Sequence, residues 1–297
     1  PELPAEDIAS FDAMLVGGPR VTTATMAGAR RLKLVARLGV GFDNVDIAAC
    51  TEADVAVTIT AGAVDHPMAE GIAALLLAIT HHLLPKDRMV REGRWGDSHS
   101  YMGVELRERT VGFIGFGRIA RRTLAVLSGF GMAPTLATDP YVDEATMTQA
   151  GVRKVDQSTL LREADIVLIT CSLTPETRGL IGAAELAQMK SSAYLINAAR
   201  GPIVQQQALY ETLRAGRIAG AGLDVVEKEP GDANLPFNSL ENVVLSPHAI
   251  GHTHELFRDM GRMAFQAALD VAEGKQPHGL LNPEVWERPG FQKKLRG

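Results

Sequence analysis

Cysteine is scarce. Cys50 and Cys171 are the only two in 297 residues. Two thiols so far apart cannot staple a fold, so a disulfide framework is excluded and a reducing compartment, the cytoplasm, is expected. Long apolar runs are also missing. The longest, Gly71–Thr80 (GIAALLLAIT), is well short of the roughly 20 residues a spanning helix needs. It reads as a buried helix, and no membrane partner is expected. The opening PELPAEDIASFD is acidic and has no charged-then-apolar signal pattern. It begins on Pro1 rather than Met, which suggests a trimmed or incomplete product. Charge of one sign is nowhere concentrated: 30 Lys and Arg against 35 Asp and Glu leave a net charge of -5. Neither nucleic acid nor an anionic surface is implied as a partner. No internal repeat, low-complexity tract or metal-ligand spacing is present.

What is present suits two ordinary globular domains, with 46% apolar and 22% charged residues. Short runs rich in Val, Ile and Leu alternate with helix-like segments, the pattern of parallel strands joined by crossover helices. The fold class expected is α/β, with two doubly wound domains. In the first third the candidate strands are Ala13–Val16, Leu34–Leu38 and Val55–Thr60. A helix over Pro67–Leu84 follows, which Pro85 ends or kinks. The polar stretch Arg91–Gly103 has the composition of a linker. From Thr110 onward come candidate strands Val111–Gly115, Thr135–Thr138, Ile166–Thr170, Ala193–Ile196, Ile218–Leu223 and Val243–Leu245. Six such strands match a doubly wound dinucleotide-binding sheet. Lys228–Leu240 is loop-like, and Leu256–Glu273 reads as one long helix.

The strongest local motif is Gly115-Phe116-Gly117-Arg118-Ile119-Ala120, between the strand VGFI and the helix RIARRTLAVL. In that context Gly115 makes a tight turn, and Gly117 lets a pyrophosphate approach the backbone. Ala120 lets the helix pack closely on the strand, and the free N–H groups at the helix start bind phosphate. Asp139 ends the next candidate strand, where a carboxylate accepts from the adenosine ribose hydroxyls and repels a 2′-phosphate. Pro140 and Tyr141 follow, with no Arg to hold that phosphate, so NAD is favoured over NADP.

Arg200, Glu229 and His248 each fall just past a candidate strand, at the edge where open α/β sheets bind ligands. Arg clamps a carboxylate with paired hydrogen bonds. His is the usual acid and base near neutral pH, and a carboxylate partner orients it. Glu227 is a near neighbour that could take the place of Glu229. The remaining histidines are weaker candidates. His81 and His82 lie on an apolar helix, and His252 and His254 suit capping or solvent; His66 borders the loop TAGAVDHPMAE. Cys171 has no base-like neighbour in sequence.

With these residues in view, the chain resembles the D-isomer-specific 2-hydroxyacid dehydrogenases, which include D-3-phosphoglycerate dehydrogenases and glyoxylate/hydroxypyruvate reductases. The resemblance rests on LKLVARLGVGFDNVDI (32–47), REGRW (91–95), TVGFIGFGRIA (110–120), LTPETRGLIG (173–182), LINAARGPIVQQQAL (195–209), AGLDVVEKEP (221–230) and ENVVLSPHAIG (241–251). It implies a Rossmann NAD-binding domain, residues 98–249, inserted in a smaller flavodoxin-like substrate domain, residues 1–97 and 250–297. It implies Arg200 as the substrate clamp, His248 as proton donor and acceptor, and Glu229 as its partner. Substrate carboxylate would meet the backbone of Gly39, Val40 and Gly41. Cofactor would meet Gly115, Gly117, Arg118, Ile119 and Asp139, the loop with Cys171, Ser172, Pro175 and Thr177, and also Ala198, Asp224 and Gly251, with Asp224 at the nicotinamide carboxamide. A homodimer acting on a small 2-hydroxy or 2-oxo acid is expected.

The chain departs from the family in starting after the usual first strand and helix, and in its Ala61–Pro67 loop. No C-terminal regulatory domain is seen, so feedback control by an amino acid is not expected. Formate dehydrogenase relatives pair the His with Gln, which Glu229 argues against. A dinucleotide-sensing corepressor on the same fold is the alternative from another class.

Overall fold

The computed structural model describes residues 2–296. The helices in chain order are α1 (Ala5–Ile8), α2 (Thr23–Met26), α3 (Ile47–Glu52), α4 (Asp65–Thr80), α5 (Leu83–Arg91), α6 (Arg118–Leu127), α7 (Glu144–Gln149), α8 (Gln157–Glu163), α9 (Ala183–Leu186), α10 (Gln206–Arg214), α11 (His254–Ala272) and α12 (Pro289–Arg296). The strands are β1 (Ala13–Val16), β2 (Leu34–Arg37), β3 (Ala56–Ile59), β4 (Thr110–Ile114), β5 (Ala133–Thr138), β6 (Val152–Lys154), β7 (Ile166–Ile169), β8 (Tyr194–Asn197), β9 (Gly220–Leu223) and β10 (Val243–Leu245). Two compact units form: one runs up to Val64 and resumes at His252, and the other spans Asp65–Gly251. Among the described residues no single helix is long and apolar enough to cross a membrane.

In the first unit β1, β2 and β3 pair in parallel in that order, with Leu34 opposite both Ala13 and Ala56. Alternate residues of a strand face opposite sides. Val16, Val35 and Val57 therefore pack with Met26 and Cys50 under α2 and α3, while Leu34, Ala36 and Ala56 pack with Ala264, Ala267 and Phe291 of α11 and α12. Polar caps set the helix starts: Asp46 Oδ1 accepts from Ala49 N at 2.9 Å, and Thr253 Oγ1 accepts from Leu256 N at 3.0 Å. Lys294 fastens α12, its Nζ donating to the carbonyls of Ala29, Leu32, Ala53 and Asp54 at 2.7–3.1 Å.

The second unit carries a seven-stranded parallel sheet in the order β10-β9-β8-β7-β4-β5-β6. The chain winds outward from β4 to β6, then returns to β7 and winds the other way. The crevice past the carboxyl ends of β4 and β7 is the switch point where such sheets bind ligands. Both faces are covered, as the apolar strands require: Ile166 and Leu168 join the core beneath α4 and α6, and Val167 and Ile169 join the opposite one.

Three expectations change here. The sheet has a seventh strand, β6, whose three residues Val-Arg-Lys include one buried side chain, too little to give a pattern. The single helix expected over 67–84 is two, and the break is not at Pro85. It falls at His82, whose φ of 51° leaves the helical region, while Pro85 sits in the first turn of α5, where its missing N–H has no partner to lose. By packing, the domain division falls at 64/65 rather than 97/98. Ile72, Leu75, Leu76 and Ile79 of α4 are buried in the same core as Phe113 and Ile196 of the large sheet.

Candidate active site

Strands β8, β9 and β10 are neighbours, so the loops after them lie side by side. Asn197, at the end of β8, is 1% exposed. Its amide donates to Arg200 O at 3.0 Å and accepts from Ala199 N at 3.1 Å, which fixes the turn that carries Arg200. A Cβ on Gly201 would lie 1.8 Å from Val226 O. Only glycine lets the Arg200 loop and the Glu229 loop press together.

Glu229, not Glu227, meets the histidine: its Oε2 lies 2.6 Å from His248 Nδ1, and its Oε1 accepts from Val226 N at 3.2 Å. Partial burial works against ionisation of Glu229. The hydrogen bond and charge of His248, the Val226 N–H and the charge of Arg200 outweigh it and hold the carboxyl below its ordinary range. An ionised carboxylate only accepts, so Nδ1 donates and Nε2 is left to face a reacting group. Arg200 Nη1 donates to Ala199 O at 2.8 Å.

His248 has φ of 55°, the left-handed region, which disfavours a residue with a Cβ by about 1–2 kcal/mol. Asp224 holds it there. Its carbonyl accepts from His248 N at 2.7 Å, and its Oδ1, on a side chain 2% exposed, accepts from Ala249 N and Ile250 N at 2.9 and 3.0 Å. Asp224 is thus engaged with the chain that follows His248.

At the switch point Gly115 has φ of 89°, and a Cβ there would lie 2.6 Å from Cys171 N. Glycine is what brings the turn after β4 against the loop after β7, and Thr170 Oγ1 donates to Gly115 O at 2.6 Å. Gly117 caps α6 without a side-chain bond, and nothing stands within 4 Å of the Cβ it lacks. Asp139 spans the turn: Oδ2 accepts from Phe116 N and Oδ1 from Tyr141 N, both at 2.8 Å. A carboxylate has further lone pairs for hydroxyl donors. Room above Gly117, an uncapped helix start and a fixed carboxylate fit a dinucleotide.

The Ile119 side chain is half-buried and packs against the core beneath α6. In the loop after β7, Thr177 Oγ1 accepts from Thr174 N and donates to Ser172 O, both at 2.7 Å, and Pro175 is exposed. Burial pushes the Cys171 thiol up to about 11, which leaves it a neutral lining group near neutral pH. Ala198 follows β8, and Gly251 packs against Met68 of α4. Arg118 pairs with Asp65 at 2.8 Å.

In the first unit Gly39 N donates to Thr60 Oγ1 at 2.9 Å, so its N–H is taken. The guanidinium of Arg37 lies beside Gly39, and Arg37 Nε donates to Asn44 Oδ1 at 3.3 Å. Arg37, Thr60, Asn197 and Asp65 were not singled out from sequence; a charged or polar residue at a strand end was the available signal for the first three. His66 pairs with Glu70 at 2.9 Å, and His252 stands edge-on to Phe257 with ring centroids 5.0 Å apart.

Residues 73–249 match a family model described as the NAD-binding domain of D-isomer specific 2-hydroxyacid dehydrogenases. The chain is 40% identical over 269 residues to a glyoxylate reductase of Korarchaeum cryptofilum, covering 89% of this chain and 81% of the relative. It is 36% identical over 287 residues to a D-3-phosphoglycerate dehydrogenase of Archaeoglobus fulgidus, covering 96% of this chain but 54% of that longer relative. Among solved structures, D-lactate dehydrogenase from Aquifex aeolicus complexed with NAD and lactic acid superposes with a TM-score of 0.84 at 26% identity, covering 92% of this chain and 86% of that one.

Proposed function

Because the chain belongs to the D-isomer specific 2-hydroxyacid dehydrogenases, we propose that it is an NAD-dependent oxidoreductase interconverting a small D-2-hydroxy acid and its 2-oxo acid. The observation that carries this reading is the 2.6 Å contact of His248 Nδ1 with Glu229 Oε2, in a loop cluster that also holds Arg200.

The nicotinamide, when bound, supplies or takes up the hydride at C2. The residues do the rest. Arg200 clamps the substrate and stabilises charge on its carbonyl oxygen. In reduction His248 gives the Nε2 proton to that oxygen, and in oxidation the neutral ring removes it. Glu229 holds the ring in the tautomer and orientation this needs. Val40 and Gly41 carry the N–H groups for a substrate carboxylate, since that of Gly39 is bonded to Thr60. Backbone N–H groups at the start of α6 would hold the pyrophosphate, and Asp139 would take the ribose hydroxyls and disfavour NADP. Asp224 keeps the His248 loop in place, and with Ala198, Gly251 and the Cys171–Thr177 loop it would help to hold the nicotinamide end of the cofactor.

The substrate is glyoxylate, hydroxypyruvate or a phosphorylated 2-oxo acid. A cytoplasmic homodimer completes the proposal. Both cysteines are free thiols, as a reducing compartment requires, and the exposed Leu83, Leu84 and Val90 of α5 offer an apolar surface to a second copy. The test is NADH consumption over a panel of those acids, with product configuration read by chiral chromatography on the hydroxypyruvate and phosphorylated acids, since glyoxylate gives achiral glycolate. Turnover with a D-configured product from either of these chiral cases supports the reading. An L product, or tight NADH binding with no turnover on any acid, contradicts it, and the latter favours a dinucleotide sensor.

A further inference from the structure

Arg118 opens α6 on the glycine turn, and its side chain is tied by a residue the reaction leaves without a role. Asp65, the first residue of α4, accepts from Arg118 Nε at 2.8 Å. The two partners differ in surroundings: the Asp65 side chain is 15% exposed and that of Arg118 68%. The carboxylate is therefore anchored in the protein, while the guanidinium stands out at the start of α6. Of its donors only Nε bonds Asp65, so Nη1 and Nη2 are left for another acceptor. Those two nitrogens form the fork that grips two oxygens of a phosphate.

The neighbouring groups have other partners. Both oxygens of Asp139 are engaged by Phe116 N and Tyr141 N, and His66 pairs with Glu70. Gly117 provides no side-chain cap for α6 and leaves open space above the turn. An arginine on such a turn would otherwise sample many rotamers, and ordering a long side chain weakens binding.

We propose that Asp65 is a positioning residue for the cofactor: it fixes Arg118 by Nε so that the terminal nitrogens meet the dinucleotide's pyrophosphate. This rests on the cofactor reading given above. The carboxylate also repels the pyrophosphate, but its charge is matched by the guanidinium it holds, and preorganisation is the larger effect.

The test measures dissociation constants of ADP-ribose and of adenosine, by calorimetry, for the full chain and for Asp65→Ala, Asp65→Asn, Arg118→Met and the Asp65→Ala/Arg118→Met double variant. Asp65→Ala is expected to weaken ADP-ribose about three- to ten-fold, a change typical of one partly exposed charged contact, and to leave adenosine unchanged. Asp65→Asn, which keeps an acceptor for Nε, stays nearer the parent. With Met at 118, removing Asp65 adds no further loss. Unchanged or tighter ADP-ribose binding by Asp65→Ala would overturn the proposal, as would an equal loss in the Arg118→Met background. Should the alanine variant not fold, Asp65→Ser serves, since it keeps a polar group at the start of α4 yet is too short to hold Arg118. A parent chain that fails to bind ADP-ribose at all would instead sink the cofactor reading itself.

Discussion

His248 is fixed from two directions, by Glu229 on the ring and by Asp224 on the backbone. Glu229→Gln removes the carboxylate that sets the tautomer, so kcat is expected to fall by about 100-fold or more while NADH affinity is kept. The same pair leaves a signature in stability. The carboxyl of Glu229 titrates below its ordinary 4.5 in the folded chain, so its ionised form stabilises the fold above that pH, and the contribution is lost as pH falls through the lower folded value. Melting curves of the parent and Glu229→Gln should therefore differ most near neutrality and converge below pH 4.5. A difference that persists unchanged in acid contradicts the sign. Arg200, Glu229 and His248 were legible because each carries its chemistry in its residue type and lies just past an apolar run. Asn197 and Gly201 were not, because their work is to hold one loop against another that is distant in sequence.

For the elements, the two motif glycines predict different failures. Gly115→Ala places a Cβ 2.6 Å from Cys171 N at a φ of 89°, so it should lower Tm, with at least about 1–2 kcal/mol from the backbone alone. Gly117→Ala meets nothing within 4 Å, so it should keep Tm and weaken NADH binding, as read by nucleotide fluorescence. The reverse pattern would mean the turn has been misread. Strands β4 and β7 through β10 were readable as apolar runs because buried parallel strands are apolar on both faces. The edge strand β6 has too few buried residues to signal itself. The α4–α5 break depends on a left-handed His82, which residue type does not announce.

For the molecule as a whole, the alternation of strand and helix pointed to two α/β units, but not to which unit each helix belongs. The run from Ile72 to Ile79 is apolar enough for either sheet, and only packing assigns α4 to the larger one. In the smaller unit the end of the chain is fastened by Lys294 and its four carbonyl partners. Lys294→Met should destabilise that unit by about 1–3 kcal/mol in denaturant melts, with the exposed neighbour Lys293→Met as the neutral control. Equal effects of the two would show that α12 docks by apolar contact alone.

On the proposed reading, His248 moves the proton that accompanies hydride transfer at C2 of a 2-oxo acid. The most direct measurement follows NADH oxidation by the parent and by His248→Ala on whichever acid of the panel turns over fastest, with NADH binding measured separately by fluorescence. In His248→Ala, kcat is expected to fall by about 100-fold or more while the NADH dissociation constant is unchanged. Turnover that survives the substitution within a few fold would contradict that reading and move the acid–base role to another residue.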